Sequence, residues 1–339
     1  MKIYYLPIEP YETRYTADWI AQFTSEFNKA HVEYEVILGE TDSTKVTDGG
    51  VLDACGTHTF KFTQLLTLIG YIKEGKIKSN DVIFFADLWF PGLESLFYIR
   101  SMLGVNFKIC GILHAGTYDK YDFTYRNNMR SWGAFLENSW LVGVDKVFVA
   151  TKFHKNLILN GCSDLLKHTF SKKITVTGIP FYAEQLRKQY DCSHKENIVV
   201  FPHRLDPEKC PEKFDILVDK LRNRGVDFIP VKTIEETKSR DDYFRLLAKS
   251  KVMVSFANQE TFGYSTVESM ALGNIVFVPN RLSYVETVPE MYRYDDEEYL
   301  PDLIETALSS YYEPKYDLTK WSFAIQNMIT LCKEFEKDV

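Results

Sequence analysis

No two cysteines stand at C-x-x-C spacing, and the six present (Cys55, Cys110, Cys162, Cys192, Cys210 and Cys332) are scattered. That excludes a zinc ribbon or a dithiol redox motif and reads as reduced thiols with no disulfide framework. Cys192, His194, His203 and Cys210 lie close in sequence, but without paired spacing they do not make a metal set. No apolar run approaches the ~20 residues that span a bilayer. The opening Met1-Lys2-Ile3-Tyr4-Tyr5-Leu6-Pro7 reads as a first β-strand and not as a signal peptide, so the expected location is cytoplasmic. Positive charge is not in excess either. Forty Lys+Arg against 47 Asp+Glu leave a net charge of −7, which argues against a non-specific nucleic-acid binder. The imbalance falls after residue 182; the first half is neutral and leaves room for a local basic groove.

What is present is a regular alternation. The 339 residues suffice for two ordinary domains, and 45% hydrophobic with 26% charged residues is a globular balance. Apolar runs predict strands at 1–6, 34–38, 82–86, 107–113, 146–149 and 174–177. Between them, helical periodicity falls at 16–29, 62–74, 93–103, 130–142 and 152–160. A polar stretch at 182–197 reads as the interdomain connection. The pattern then restarts, with strands at 198–201, 228–231, 252–256 and 275–278 and helices at 211–224, 241–249, 265–272 and 299–310. A long terminal helix is expected at 318–336. Short β-rich runs alternating with helices imply parallel sheets covered on both faces. The expected fold is α/β: two Rossmann-like, doubly wound domains whose strand C-termini face a cleft.

The segment from Ser255 to Gly273 is the most informative. A β run ends in a polar loop and opens a helix near Thr261–Tyr264, with Glu260 at the loop mouth and Glu268 about two turns on. Exposed N–H groups at a helix start, with two carboxylate acceptors beside them, suit an anionic leaving group joined to a polyhydroxyl ligand. A second strand, 198–201, delivers Arg204 and Lys209. One reading makes them a phosphate grip, a fork plus a point charge; the other makes them solvated loop charges. In the first half, His114 follows a buried strand, and either points into a ligand or bonds loop backbone. His58 is a weaker candidate of the same kind. Asp87, also at a strand end, is either an acceptor-side acid/base or a helix cap.

These pieces resemble the retaining glycosyltransferases of family 4, which have the GT-B fold. The family's E-x7-E signature, with Phe-Gly after the first Glu and a Met-Ala-x-Gly ending, appears as Glu260, Phe262-Gly263, Glu268 and Met270-Ala271-Leu272-Gly273. Its Gly-Arg-Leu and following Lys appear as His203-Arg204-Leu205 and Lys209, and its first-domain histidine matches His114. The resemblance is clear over 198–290, weaker over 80–182 and faint before that. It implies that Arg204 and Lys209 bind the diphosphate of a nucleotide sugar, with a UDP-sugar expected. It implies that Glu268 accepts the ribose hydroxyls, and that Glu260 with the Phe262 and Gly263 amides holds the sugar. It places the backbone N–H groups of Tyr264 and Ser265 on the phosphates and His114 on the transferred sugar. It further implies catalysis by Arg204, Lys209, Glu260 and His114 through front-side attack, with no metal and no cofactor. No Asp-x-Asp motif lies beside the cleft elements. Its domains would be 1–182 on the acceptor side, 183–316 for the donor, and 317–339 as a terminal helix returning to the first.

The departures are specific. The family's glycine-rich loop after the first strand is replaced by Pro7-Ile8-Glu9-Pro10-Tyr11-Glu12-Thr13-Arg14-Tyr15. His203 stands for the usual Gly, and Arg281-Leu282-Ser283-Tyr284-Val285-Glu286 has no glycine. A strand–helix unit is missing between Val231 and Asp241, which leaves the donor base open. Three stretches, 7–17, 85–92 and 115–123, are similar to bacteriophage glycosyltransferases that decorate modified DNA bases. That similarity implies DNA carrying hydroxymethylated pyrimidines as acceptor, in a host cytoplasm. Arg14, Asp87 and Tyr118 are the acceptor-side candidates, with Arg126, Arg130, Tyr121, Tyr125 and Trp132 as a stacking and phosphate face. The competing reading of that face is core aromatics and solvated arginines. A glycan, lipid or small-molecule acceptor is the alternative, although no basic amphipathic segment of the membrane-docking kind is present near the start. A non-catalytic sugar-nucleotide-binding module is the third reading.

Overall fold

The computed structural model describes residues 1–12, 14–40 and 53–336. Thr13 of the N-terminal stretch and residues 337–339 of the terminal segment lie outside them. The chain divides into two compact units, Met1–Pro180 with Phe323–Val339, and Phe181–Ser322.

The first unit is built on six parallel strands: β1 Lys2–Leu6, β2 Glu33–Val36, β3 Val82–Phe85, β4 Lys108–Ile112, β5 Lys146–Val149 and β6 Ile174–Val176. Their order is β2-β1-β3-β4-β5-β6. Central strands such as Val-Ile-Phe-Phe are apolar at every position because helices cover both faces of the sheet. Side-chain alternation divides the core accordingly. Tyr4, Leu6, Ile83, Phe85 and Ile109 join one cluster with Leu96 and Trp140. Tyr5 and Phe84 turn the other way, where Tyr5 stacks on Phe23 at 4.7 Å and Phe84 meets Phe23 at 5.4 Å.

That second face is completed by the end of the chain. The helix Ala324–Lys333 lies on the helix Trp19–Lys29. Cys332 Sγ sits 3.4 Å from Cys110 Sγ on β4, and Lys333 Nζ donates to the Ala30 carbonyl at 3.0 Å. The terminal amine of Met1 pairs with Glu336 at 3.1 Å. The expected continuous helix over 318–336 is instead a 3-10 turn Thr319–Phe323, the α-helix and a 3-10 turn Glu334–Glu336.

The second unit has β7 Glu196–Phe201, β8 Ile229–Lys232, β9 Ser250–Val254, β10 Ile275–Pro279 and the two-residue β11 Arg293–Tyr294, all parallel, in the order β11-β10-β9-β7-β8. The strand order reverses at β7, between β8 and β9. In open α/β sheets the crevice beyond the strand C-termini at such a reversal is where ligands bind. The first unit has the equivalent reversal at β1.

Three expectations need correction. The polar stretch 182–197 is not a bare connection: it contains the helix Ala183–Gln189 and the start of β7. The helix expected from 62 begins at Ala54, capped by the Asp53 side chain on the Cys55 amide, because polar Thr57 and Thr59 hide its first turns from a hydrophobic pattern. The helix Asp164–Lys173 was not anticipated: four of its ten residues are basic or histidine, and only Phe170 is buried.

Candidate functional site

In the second unit the site grows from the ends of β7 and β9. After β7 the chain gives Pro202, His203 and Arg204, a 3-10 turn Pro207–Lys209, and Cys210 in the left-handed region (φ 55°) before the helix Pro211–Asn223. After β9 it runs through Ser255–Glu260 to Gly263, whose φ of 89° turns the chain into the helix Tyr264–Ala271. A side chain at Gly263 would be strained in that left-handed conformation. The two loops are tied together: the Asn258 amide donates to the Glu208 carbonyl at 2.7 Å. Arg281 clamps the second loop through the Ala257 carbonyl at 3.2 Å and Asn258 Oδ1 at 3.0 Å.

Lys209 is at the centre. It is only 7% exposed, so the solvated-charge reading does not describe it. Its Nζ donates to the Gln259 carbonyl at 2.5 Å and pairs with Glu260 Oε2 at 3.2 Å. Glu260 Oε1 accepts the Gly263 amide at 3.0 Å, so one carboxylate joins the cation to the helix start. Arg204 is half exposed and leans on Asp206 at 3.2 Å and Glu208 at 3.6 Å. The structure thus brings Lys209, Glu260 and Gly263 together around one helix N-terminus, while Arg204 is held by the acids of its own loop. Phe262 is buried, edge-on to Trp321 at 5.2 Å, so its side chain is core and only its backbone faces the loop. Tyr264 packs between Phe262 and Phe181, at 5.0 and 6.4 Å.

Glu268 lies within the helix, buried, with Tyr243 donating to Oε2 at 3.0 Å and Arg240 3.7 Å from Oε1. Loss of water pushes its carboxyl up to about 7, against the opposing pull of Arg240 and the Tyr243 hydroxyl. Arg240 and Tyr243 were not anticipated from sequence. They arrive on the helix Arg240–Lys249, which is separated from β8 by the short helix Thr233–Glu236 alone and by no further strand. His203 was noted as a departure from the family and as a member of a rejected metal set. Its Nε2 lies 2.8 Å from Ser255 Oγ and its Nδ1 3.3 Å from Ser265 Oγ.

In the first unit the candidates gather at the strand ends near the order reversal. His114 Nε2 donates to the Ala86 carbonyl at 2.8 Å, and its Nδ1 accepts from the Tyr15 hydroxyl at 3.1 Å. Burial lowers its pKa, partly offset by Asp87. Asp87 caps no helix. It closes its own turn on the Trp89 amide at 3.0 Å and pairs with buried Lys61 at 3.1 Å. Arg14 pairs with buried Glu9 at 3.2 Å. The Tyr118 hydroxyl shares a hydrogen bond with His154 Nε2 at 2.7 Å. Arg130 holds the Thr117 carbonyl at 2.9 Å and lies over the Tyr125 ring, while Trp132 is about half exposed. His58 lies in a helix, not at a strand end, with Nδ1 on the Ala54 carbonyl.

No family model matches the chain. Among solved structures, the catalytic domain of starch synthase IV from Arabidopsis thaliana, bound to ADP and acarbose, is similar over 99% of this chain and 98% of its own, with a TM-score of 0.62 and 13% identity. Sucrose-phosphate synthase from Thermosynechococcus elongatus gives the same TM-score and identity over 99% and 94%. An alpha,alpha-trehalose-phosphate synthase (UDP-forming) from Burkholderia vietnamiensis gives 0.56 and 13% over 98% and 95%. With its two parallel sheets, each of doubly wound type, the chain has the α/β GT-B fold. Among the described residues there is no group of His, Cys, Asp and Glu fit to hold a metal ion, and no helix long and apolar enough to cross a membrane.

Proposed function

We propose that the chain is a glycosyltransferase that moves a sugar from a nucleotide-sugar donor, a UDP-sugar, to an acceptor hydroxyl. The observation that carries this is the buried Lys209, paired with Glu260 and through it joined to the start of the helix Tyr264–Ala271, with Arg204 on the same loop as Lys209. Breaking the sugar–phosphate bond puts negative charge on the leaving diphosphate and positive charge on the sugar carbon. Arg204, Lys209 and the helix N-terminus oppose the first. Glu268 receives the ribose hydroxyls, and Glu260 positions the sugar. The reaction is retaining and metal-independent: the acceptor oxygen bonds to the sugar carbon as the phosphate oxygen leaves and takes the acceptor's proton. In the first unit His114 serves the sugar, and Asp87, Arg14 and Tyr118 belong to the acceptor half.

The acceptor proposed is a hydroxymethylated pyrimidine in DNA, supported by the similarity of 7–17, 85–92 and 115–123 to phage enzymes and by the exposed ring of Trp132. A second reading, a glycan or small-molecule acceptor, is favoured by the internal ties of Arg14, Arg130 and Tyr118.

The test is a panel of UDP-, GDP- and ADP-sugars with DNA carrying plain or 5-hydroxymethylated pyrimidines, read by mass spectrometry. Sugar mass on a nucleoside is expected. Donor hydrolysis without DNA modification moves the acceptor to the second reading. No consumption of any donor overturns the proposal. Retention is read from the anomeric configuration of the product, and metal independence from activity in chelator.

A further inference from the structure

One buried titratable group at the donor half has no role in the reaction as proposed. His203 stands where the resembling family carries glycine, and its imidazole connects two parts of the site. Nε2 lies 2.8 Å from Ser255 Oγ and Nδ1 3.3 Å from Ser265 Oγ. Ser255 Oγ in turn lies 2.8 Å from the Tyr284 hydroxyl and accepts the Ala257 amide at 3.3 Å. Tyr284, Ser255 and His203 are buried; Ser265, the second residue of the helix Tyr264–Ala271, is the member that reaches the surface. The chain of contacts therefore runs from the core of the unit to the helix start that receives the diphosphate.

Burial beside Lys209 and Arg204 holds the His203 pKa well below its ordinary value, so the ring carries one N–H and one acceptor nitrogen. The four groups then have two consistent directions. In one, Ser265 donates to Nδ1, Nε2–H donates to Ser255, and Ser255 donates to Tyr284. In the other, Tyr284 donates to Ser255, Ser255 donates to Nε2, and Nδ1–H donates to Ser265. The second direction alone leaves the Ser265 hydroxyl proton free of the imidazole and available to an anionic oxygen. A glycine at 203 has no such coupling.

Building on the donor reading, we infer that His203 is a positioning residue whose Nδ1–H tautomer turns the Ser265 hydroxyl into a donor to a phosphate oxygen of the nucleoside diphosphate. The relay supplies direction, while Arg204 and Lys209 supply charge. A donor whose hydroxyl proton is fixed beforehand has less to reorganise when the phosphate arrives.

The experiment pairs calorimetric titration with UDP and with uridine, and 15N NMR of histidine-labelled protein, with the His203 signals assigned by their loss in His203→Gln. With UDP bound, the Nδ1-protonated tautomer is expected. Ser265→Ala and His203→Gln should each weaken UDP about tenfold, the scale of a charge-assisted hydrogen bond, with uridine unchanged. The double variant should be no weaker than either single one. His203→Asn, whose amide N–H lies near the Nδ1 position, should restore most of the UDP affinity, which a merely structural role for the ring does not predict. An Nε2–H tautomer in the complex, equal losses for UDP and uridine, or additive losses would each overturn the relay while leaving the donor site intact. Wild-type protein that binds neither UDP nor ADP overturns the donor reading itself.

Discussion

Replacing Lys209 with Met separates what this residue does for the fold from what it does for the ligand. The Met side chain keeps the buried stem in place and deletes the ammonium. Three contacts vanish, to the Gln259 carbonyl at 2.5 Å, to Gln259 Oε1 at 3.5 Å and to Glu260 at 3.2 Å. What remains is a Glu260 side chain 17% exposed, with the Gly263 amide at 3.0 Å as its recorded partner. Breaking a fully buried ion pair costs about 3–5 kcal/mol. The residual exposure and the surviving hydrogen bond reduce this to about 2 kcal/mol. Adding Glu260→Gln removes the stranded charge, so the double variant should regain most of that stability. Donor affinity should behave differently. A lost charge-assisted contact to the diphosphate weakens UDP by about 10- to 100-fold, and Glu260→Gln cannot restore it. Urea unfolding and calorimetric titration on the same three proteins measure both quantities. A double variant no more stable than Lys209→Met, or a Lys209→Met protein that binds UDP like the parent, would refute the reasoning.

Three further perturbations have defined outcomes. Glu268, pushed up to about 7 from the ordinary 4.5, holds more protons folded than unfolded between those values, so it lowers stability as pH rises through that window. Glu268→Gln should flatten that slope. The ionised form that accepts ribose fades as pH falls, so UDP affinity should drop below about pH 7, and an identical profile in Glu268→Gln would count against the ribose role. Leu282 adopts a φ of 60° where the family resemblance has glycine; Leu282→Gly should be more stable than Leu282→Ala by about 1 kcal/mol in thermal melts, and the reverse order would exclude backbone strain there. Ending the chain at Ser322 removes buried Ile325, Met328, Ile329 and Phe335 from the first unit. At about 1.5–3 kcal/mol each this rivals a whole domain's stability, so a truncated protein that melts normally would contradict the packing described.

The parallel strands were legible because both faces of each sheet are buried: Val82–Phe85 and Val252–Val254 are apolar runs with no polar alternation to confuse them. In the second unit Glu260, Glu268, Arg204 and Lys209 stood out as candidates because they sit at fixed distances from strand ends. The rest depends on tertiary pairing that no spacing records. Arg240 and Tyr243 meet Glu268 from the helix Arg240–Lys249, and His203 meets Ser265 across 62 residues. The helix Asp164–Lys173 has too little apolar content to show a period, and the terminal segment hides its breaks because 3-10 turns preserve much the same burial pattern. The acceptor candidates were the least legible, since Arg14, Asp87 and Tyr118 each have a partner that sequence did not pair with them.

The placement of Ala324–Lys333 in the first unit also matters to a chain still being made. Cys110 and the Trp19–Lys29 helix leave the ribosome early, but the helix that covers them is translated after the whole of Phe181–Ser322. At roughly 5–20 residues per second, that is many seconds in which one face of the first sheet lacks its cover. The second unit, continuous in sequence, has all its strands before then. The unit translated ahead of the other is therefore the one that finishes folding last, and its unsealed apolar face is the surface a chaperone would meet on the nascent chain.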